Sequence, residues 1–331
     1  MPNPSLSVAQ EPKSVFVEGW VDVIKARAGW TTAVVVTLTL IAGTSGCAPA
    51  GRDEAPATNP ASPGTSSRPA ETPAPGDHRL FQEWDGKERT YEVHAPPGYR
   101  PGHALPLVVV MHYRDGTPAT MRAMTLFDSK ADKEGFLVAY PVGINGAVNA
   151  LICCGSNDDV GFIRAMVEHL TNAWSADRKR VYATGISNGA DMSYRMAIEA
   201  PGLFAAIAPV SGGFLGAKAG TDPAYKPSRP VSVMSFAGRD DQLLGAITDG
   251  LRAWYQKLGC TAGAAVWVDP GRTVSRTTAA CADGSQVISH VISGMGHAWP
   301  GGTSAGLGDP NAPINAVDTM WAFFVAHSGS R

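Results

Sequence analysis

The stretch from Val181 to Met196, Val-Tyr-Ala-Thr-Gly-Ile-Ser-Asn-Gly-Ala-Asp-Met-Ser-Tyr-Arg-Met, restricts what this chain folds into more than any other. A short apolar, β-prone run, Val181 to Thr184, enters Gly185-Ile186-Ser187-Asn188-Gly189, and a helix-compatible segment from Ala190 to Ala200 leaves it. Strand, G-x-S-x-G, helix is the pattern of a nucleophile elbow, a tight turn that lifts a serine hydroxyl above the end of a sheet. The flanking glycines are needed there because side chains would collide with the neighbouring strand and helix.

The pentapeptide alone is a weak signal in a chain with 37 glycines, and Gly302-Thr303-Ser304-Ala305-Gly306 matches it as well. Context separates the two. Ser304 follows Trp299-Pro300-Gly301-Gly302 with no strand before it, and Gly308-Asp309-Pro310 breaks any helix after it. It also stands too near the C-terminus for an acid and a base to follow on further strands. Ser304 reads as loop and Ser187 as the nucleophile.

From about Arg79 onward, β-prone apolar runs alternate with helix-period segments. The runs are Leu107 to Met111, Phe136 to Tyr140, Val181 to Thr184, Ala205 to Val210, Val231 to Ala237 and Val287 to Ile292. Several are nearly continuous, as strands covered on both faces are. Phe162, Ile163, Met166, Val167, Leu170 and Trp174 fall on one helical face, and Pro313 to Val325 reads as a last helix. The expectation is an α/β fold with a mainly parallel sheet, helices on both faces, and antiparallel strands around Tyr91 to His94.

A serine hydroxyl is a poor nucleophile and needs a base, which needs an orienting acid. In α/β-hydrolases they follow in the order Ser, Asp or Glu, His. The run Val231 to Phe236 ends in Ala237-Gly238-Arg239-Asp240-Asp241, which puts an acid just past a strand's carboxyl end. Asp241 is preferred to Asp240 because Gly-x-x-Asp is the commoner spacing; the plain alternative for either is a solvated turn carboxylate. The base should follow the next strand, and Gly294-Met295-Gly296-His297 does so, with glycines that leave His297 room to reach the serine. His290 sits mid-strand and reads as a packed or surface residue.

Together, Gly-Ile-Ser-Asn-Gly with the downstream Phe204-Ala205-Ala206-Ile207-Ala208-Pro209-Val210-Ser211-Gly212, the loop Gly-His-Ala-Trp-Pro-Gly-Gly, and Cys153-Cys154 followed by Asp158-Asp159-Val160-Gly161-Phe162-Ile163 resemble the polyhydroxybutyrate depolymerase and feruloyl esterase family of secreted α/β-hydrolases. The resemblance spans nearly all of Arg79 to Ser328. It implies carboxylic ester hydrolysis through a Ser187 acyl-enzyme, with Asp241 and His297 completing the triad and no cofactor. It also implies an oxyanion hole from the backbone N–H groups of Asn188 and Tyr113. Trp299 would line the pocket as in relatives, or else act as a structural wedge. Two departures stand out. The family's His and Thr before the acid are missing from Phe236-Ala237-Gly238-Arg239-Asp240-Asp241. The oxyanion loop reads His112-Tyr113-Arg114-Asp115-Gly116, so a side chain replaces a glycine beside the acyl group.

The substrates implied are hydroxyalkanoate oligoesters, feruloyl or acetyl esters, or small aryl esters. An envelope acyltransferase using the same triad, and a non-catalytic surface protein that kept the fold, are the other readings. Because the chain ends soon after its last helix, no polymer-binding domain is expected after the catalytic part, which favours soluble or short-chain esters.

The remaining expectations concern export. Lys25 and Arg27 precede an apolar run from Trp30 to Gly43, then Thr44-Ser45-Gly46-Cys47. At about fourteen residues the run suits a signal segment and is short for a roughly 20-residue membrane span. Small residues before Cys47 resemble a lipoprotein signal, which would anchor the protein by lipid outside the cell membrane; an ordinary secretion signal is the alternative. The chain thus divides into a signal segment at 1–47, a disordered Pro/Ala/Ser/Thr-rich linker at 48–78 and a catalytic domain at 79–331. The linker's root-mean-square reach is about 30 Å. Of five cysteines, lipidation of Cys47 leaves four for an oxidising setting. Cys260 with Cys281 is the expected bridge, flanking a segment that returns as a hairpin, and Cys153 with Cys154 form a vicinal bridge or stay reduced and buried. No spacing resembles a zinc site. A net charge of −2 without a basic stripe gives no electrostatic case for nucleic acid.

Overall fold

Two strands that alternate in burial, β1 (Gly76–Trp84) and β2 (Lys87–Ala95), open the domain as a hairpin. The computed structural model describes residues 72–328. Asp85 and Gly86 join the strands, both at positive φ, 53° and 68°. An Asp-Gly pair in this conformation gives a two-residue loop whose twist matches that of the strands. β1 starts three residues before the expected domain boundary at Arg79. Asp77 is already held there by His94 and Arg122, at 2.7 Å each. The expected signal segment, Cys47 and most of the linker lie outside the described residues.

The other elements follow in chain order. Strand β3 (Leu105–Met111) leads to helices α1 (Pro118–Thr125) and α2 (Phe127–Glu134), then to β4 (Leu137–Pro141) and α3 (Asp159–Ala173). Next come β5 (Ala176–Ile186), α4 (Asn188–Glu199), β6 (Ala206–Val210), α5 (Ala217–Thr221), β7 (Ser232–Gly238) and α6 (Leu244–Leu258). The last part holds β8 (Thr261–Ala262), β9 (Val266–Trp267), β10 (Val274–Ala280), β11 (Gln286–Ile292), β12 (Trp299–Pro300), β13 (Gly308–Asp309) and α7 (Ala316–Ala326).

Eleven strands form one sheet in the order β1-β2-β4-β3-β5-β6-β7-β11-β10-β8, with β9 also paired to β10. The run from β4 through β11 is parallel, and antiparallel strands flank it on both sides. β3, β4, β6 and β7 are buried at every position, which is why their sequences read as unbroken apolar runs.

Two apolar cores lie on the two faces. One packs α3, α4 and α6 through Phe162, Met166, Leu170, Met192, Met196 and Trp254. The other packs α1, α2 and α7 through Met121, Phe127, Ala131, Met320 and Phe324. Helix ends follow local chemistry. The Asp158 side chain accepts from the Gly161 N–H at 2.8 Å to cap α3, and Asn315 accepts from the Asp318 N–H at 3.0 Å to start α7. The last helix therefore begins at Ala316 rather than Pro313.

Both bridges form. Cys260–Cys281 ties the end of α6 to β10, and Cys153–Cys154 closes as a vicinal disulfide.

Candidate active site

Ser187 sits between β5 and α4 with φ 56° and ψ −118°, a conformation L-residues rarely adopt. Its neighbours enforce it. A Cβ at Gly189 would lie 2.3 Å from the Met111 carbonyl oxygen, and one at Gly185 would lie 2.6 Å from both that oxygen and the Gly189 carbonyl carbon. The elbow is thus pressed onto β3 and its own helix, as the G-x-S-x-G spacing requires. The Ser187 N–H donates to Val210 O at 3.0 Å, which holds the turn against the end of β6. Ser187 is half-buried, and its Oγ makes no hydrogen bond among the described residues.

The competing Gly302–Gly306 motif has other reasons for its glycines. Gly306 is left-handed (φ 54°), and a Cβ on it would stand 2.9 Å from the Tyr113 hydroxyl. A Cβ on Gly302 would stand 2.9 Å from Met124 O. Ser304 lies exposed in the loop between the paired two-residue strands β12 and β13. A short strand does precede it, contrary to expectation, but the chain passes into β13 rather than directly into a helix.

The expected acid and base meet. His297 Nδ1 donates to Asp241 Oδ2 at 2.9 Å. Asp241 follows β7, its side chain is fully buried, and its Oδ1 accepts from the Leu243 N–H at 2.8 Å. Asp240 is exposed and turns its N–H to Met295 O. The His297 loop is laid over the end of β7, where a Cβ on Gly238 would clash with Met295 O at 2.1 Å. Ser211 Oγ, one residue past β6, donates to Ala298 O at 3.2 Å, bringing this loop to the Ser187 side. The register Ile186–Val210–Phe236 and Gly238–Ile292 places all three residues at the carboxyl ends of adjacent strands.

The N–H groups of Tyr113 and Asn188 make no hydrogen bond among the described residues, leaving two donors free beside the serine. The loop carrying Tyr113 is braced. His112 Nδ1–H donates to Tyr113 O at 2.8 Å while its Nε2 accepts from the Gly143 N–H at 3.0 Å, a pairing only the neutral imidazole makes. Burial lowers the His112 pKa and favours that form. The Asn188 side chain accepts from Val148 N–H at 3.1 Å and donates to Val148 O at 3.0 Å.

Trp299 is fully buried, edge-on to Phe127 at 6.1 Å between ring centroids. It presents no surface to a substrate and is a structural wedge rather than a pocket wall. His290 stacks on Phe236 at 4.8 Å, and burial lowers its pKa to about 4, in keeping with a packed residue.

Sequence reasoning passed over Asp191, one turn beyond Ser187. Burial raises its carboxyl to about 7 against a single bond from the Gly213 N–H at 2.8 Å. A lone Asp inside a helix carries no local signal of this.

A hollow of about 330 Å³ between Phe204, Arg229, Ser232, Ser285 and His327 lies at the opposite ends of the strands, away from Ser187. Asp77, His94 and Asp128 converge closely enough to hold a cation. The Arg122 guanidinium already supplies the positive charge there, at 2.7 Å from Asp77 and 2.5 Å from Asp128, so the group is an ion-pair network.

A family model described as esterase PHB depolymerase matches residues 89–241. NocK, a proposed esterase of Nocardia uniformis subsp. tsuyamanensis, is 30% identical over 283 residues, which take in 72% of this chain and 80% of that protein. The chain belongs to the esterase PHB depolymerase family. Feruloyl esterase B of Piromyces equi is 29% identical over 62% of the esterase described here, which covers 42% of that relative. The acetyl xylan esterase from Aspergillus awamori superposes with a TM-score of 0.57 at 18% identity, over 76% of this chain and 99% of that one. That likeness speaks for the fold alone. The protein is a carboxylic ester hydrolase with an α/β-hydrolase fold.

Proposed function

We propose that this esterase hydrolyses carboxylic esters through a covalent acyl-enzyme on Ser187. The observation that carries the reading is the 2.9 Å bond from His297 to the buried Asp241, on the strand ends where the Ser187 elbow stands. His297 Nε2 takes the proton from Ser187 Oγ as the oxygen attacks the ester carbonyl. The tetrahedral oxyanion then lies on the Asn188 and Tyr113 N–H groups. Each such donor contributes about 10²–10³ to turnover. Asp241 holds the imidazole in the tautomer with the proton on Nδ1 and stabilises the cation that forms. The imidazolium returns its proton to the leaving alcohol, and water, deprotonated by the same base, releases the acid.

The substrates of this reading are feruloyl or acetyl esters and related short oligoesters, in keeping with relatives named feruloyl esterase and acetyl xylan esterase. Export behind the segment at 1–47, with lipid attachment at Cys47 and a linker at 48–75, completes it.

Hydrolysis of p-nitrophenyl acetate and butyrate by the purified full chain is the test. Activity lost in both Ser187→Ala and His297→Ala supports the triad. Activity indifferent to Ser187 refutes it.

A further inference from the structure

Ser187 Oγ and His297 share no hydrogen bond among the described residues, so the distance from nucleophile to base is set by the segments that carry them. Those segments meet on four residues at the end of β6, 210–213. The Ser187 N–H donates to Val210 O at 3.0 Å, and the Ser211 N–H donates to Phe236 O at 2.8 Å, near the end of the strand that leads to Asp241. Ser211 Oγ donates to Ala298 O at 3.2 Å, beside the base. The Gly213 N–H donates to Asp191 Oδ1 at 2.8 Å, one turn along α4 from the nucleophile.

The packing around these bonds is tight. Ser211 is fully buried and left-handed, with φ 46°. A Cβ on Gly212 would stand 2.7 Å from Ser187 O and 2.8 Å from Asp191 Oδ1, so no side chain fits between this segment and the elbow. Asp191 adds what the other bonds do not. The Ser187 N–H fixes the start of α4 at one point, about which the helix can still pivot. A second bond one turn further on, about 5.4 Å along the axis, fixes its direction. The Asp191 N–H donates to Ser187 O at 3.0 Å, so the carboxyl and the nucleophile share that turn. Nor is the carboxyl filler. Burial raises it to about 7, and a desolvated polar group is costly to hold inside a fold.

Resting on the triad reading, we propose that Asp191 is a positioning residue for the esterase reaction. Its bond to Gly213 locks the first turn of α4 to residues 210–213, and Ser211 carries that fixed position to the His297 loop. The two links form one path from nucleophile to base. Cutting either frees the base loop from the turn that bears Ser187, and a misplacement of about 1 Å costs on the order of 10² in turnover.

The experiment uses the full chain and counts working sites by exhaustive labelling of Ser187 with a fluorophosphonate. Expressed per labelled site, kcat/KM for p-nitrophenyl acetate is blind to unfolded protein, which a merely structural role would produce. The variants are Asp191→Ala, Asp191→Leu, Asp191→Asn, Ser211→Ala and the double variant Asp191→Ala, Ser211→Ala. Asp191→Leu fills the vacated space, so it reports where Asp191→Ala fails to fold. The expected result is a loss of at least about fivefold in Asp191→Ala or Asp191→Leu, and likewise in Ser211→Ala. Asp191→Asn should lose less than that, since its amide oxygen still accepts from Gly213. The double variant should lose no more than the worse single, because both changes cut one path. Smaller losses in the Asp191 or Ser211 variants, an equal loss in Asp191→Asn, or a double variant worse than either single overturns the proposal. These outcomes leave the triad standing when wild type is labelled and active. Wild type that is not labelled at Ser187 refutes the triad, and the proposal with it.

Discussion

Replacing Gly189 by alanine tests whether the elbow is held by steric necessity. The added methyl carbon would lie 2.3 Å from Met111 O, 2.7 Å from Met111 C and 2.9 Å from His112 O, all backbone atoms that no rotamer change moves. Ordinary contact begins at 3.4 Å, so α4 must retreat from β3 by about 1 Å. Overpacking of this kind costs about 1–3 kcal/mol, part of which alanine's better helix propensity, about 1 kcal/mol, returns. With about 2–4 °C per kcal/mol for a domain of this size, the thermal midpoint should fall by a few degrees. Activity should fall further than stability. Ser187 and the Asn188 N–H ride on the first turn of α4, and a misplacement of about 1 Å costs on the order of 10² in turnover. Calorimetry and p-nitrophenyl acetate kinetics on the same preparation separate the two effects. Gly245→Ala is the control: it lies at the second residue of α6 with nothing within 4 Å, so it should raise the midpoint. Undiminished activity and an unshifted midpoint in Gly189→Ala would refute the steric argument.

Asp241→Asn should cost about 10⁴ in kcat by releasing the His297 tautomer, while the exposed Asp240→Asn leaves kcat near wild type; a side-by-side rate assay decides. Asp191 keeps a proton in the folded state that the unfolded chain releases above about pH 4, so its ionisation erodes stability as pH rises towards 7. Asp191→Asn should therefore be more stable than wild type at pH 8 and no more so at pH 4, read by urea unfolding. At His94, burial lowers the pKa but hydrogen bonds to Asp77 and Asp132 outweigh it, and the net shift is upward. The Asp77 carboxyl is also desolvated, yet His94 and Arg122 bring its pKa down. The β1 clasp is then fully present below pH 6.5 and above pH 3.8, and weakens as pH rises through the raised His94 value or falls through the lowered Asp77 value. Protection factors of the β1 amides, taken against the intrinsic exchange rate at each pH, should fall on the alkaline side, and His94→Gln should abolish that fall. Removing Cys260–Cys281, which closes a 21-residue separation, should cost about 3 kcal/mol by loop-closure entropy, seen as a lower midpoint.

Much of the fold is legible along the chain because its causes are local. Unbroken apolar runs such as Leu107 to Met111 follow from burial on both faces, and the six-residue stripe from Phe162 to Trp174 follows from helical period. Asp85-Gly86 marks a hairpin on its own, and the elbow glycines carry the signature of close approach, although the collision partner, Met111, is 78 residues away from Gly189. The order of serine, acid and histidine is likewise visible, because each follows its own strand.

What the linear chain leaves open are choices between neighbours and meetings between distant groups. Spacing prefers Asp241 to Asp240 but leaves either as a solvated turn carboxylate; burial after β7 and the His297 bond separate them. Trp299 is as aromatic in a pocket as in a core, and only its packing on Phe127 places it in the core. Adjacent cysteines do not reveal whether they are joined, nor that Asn188 reaches one of them. Arg122, Asp77, His94 and Asp128 come from separate elements and become a network only when β1, β2, α1 and α2 close together. Short-range sterics and periodicity are written in consecutive residues. Desolvation, and pairings across dozens of residues, have no value until the chain has folded.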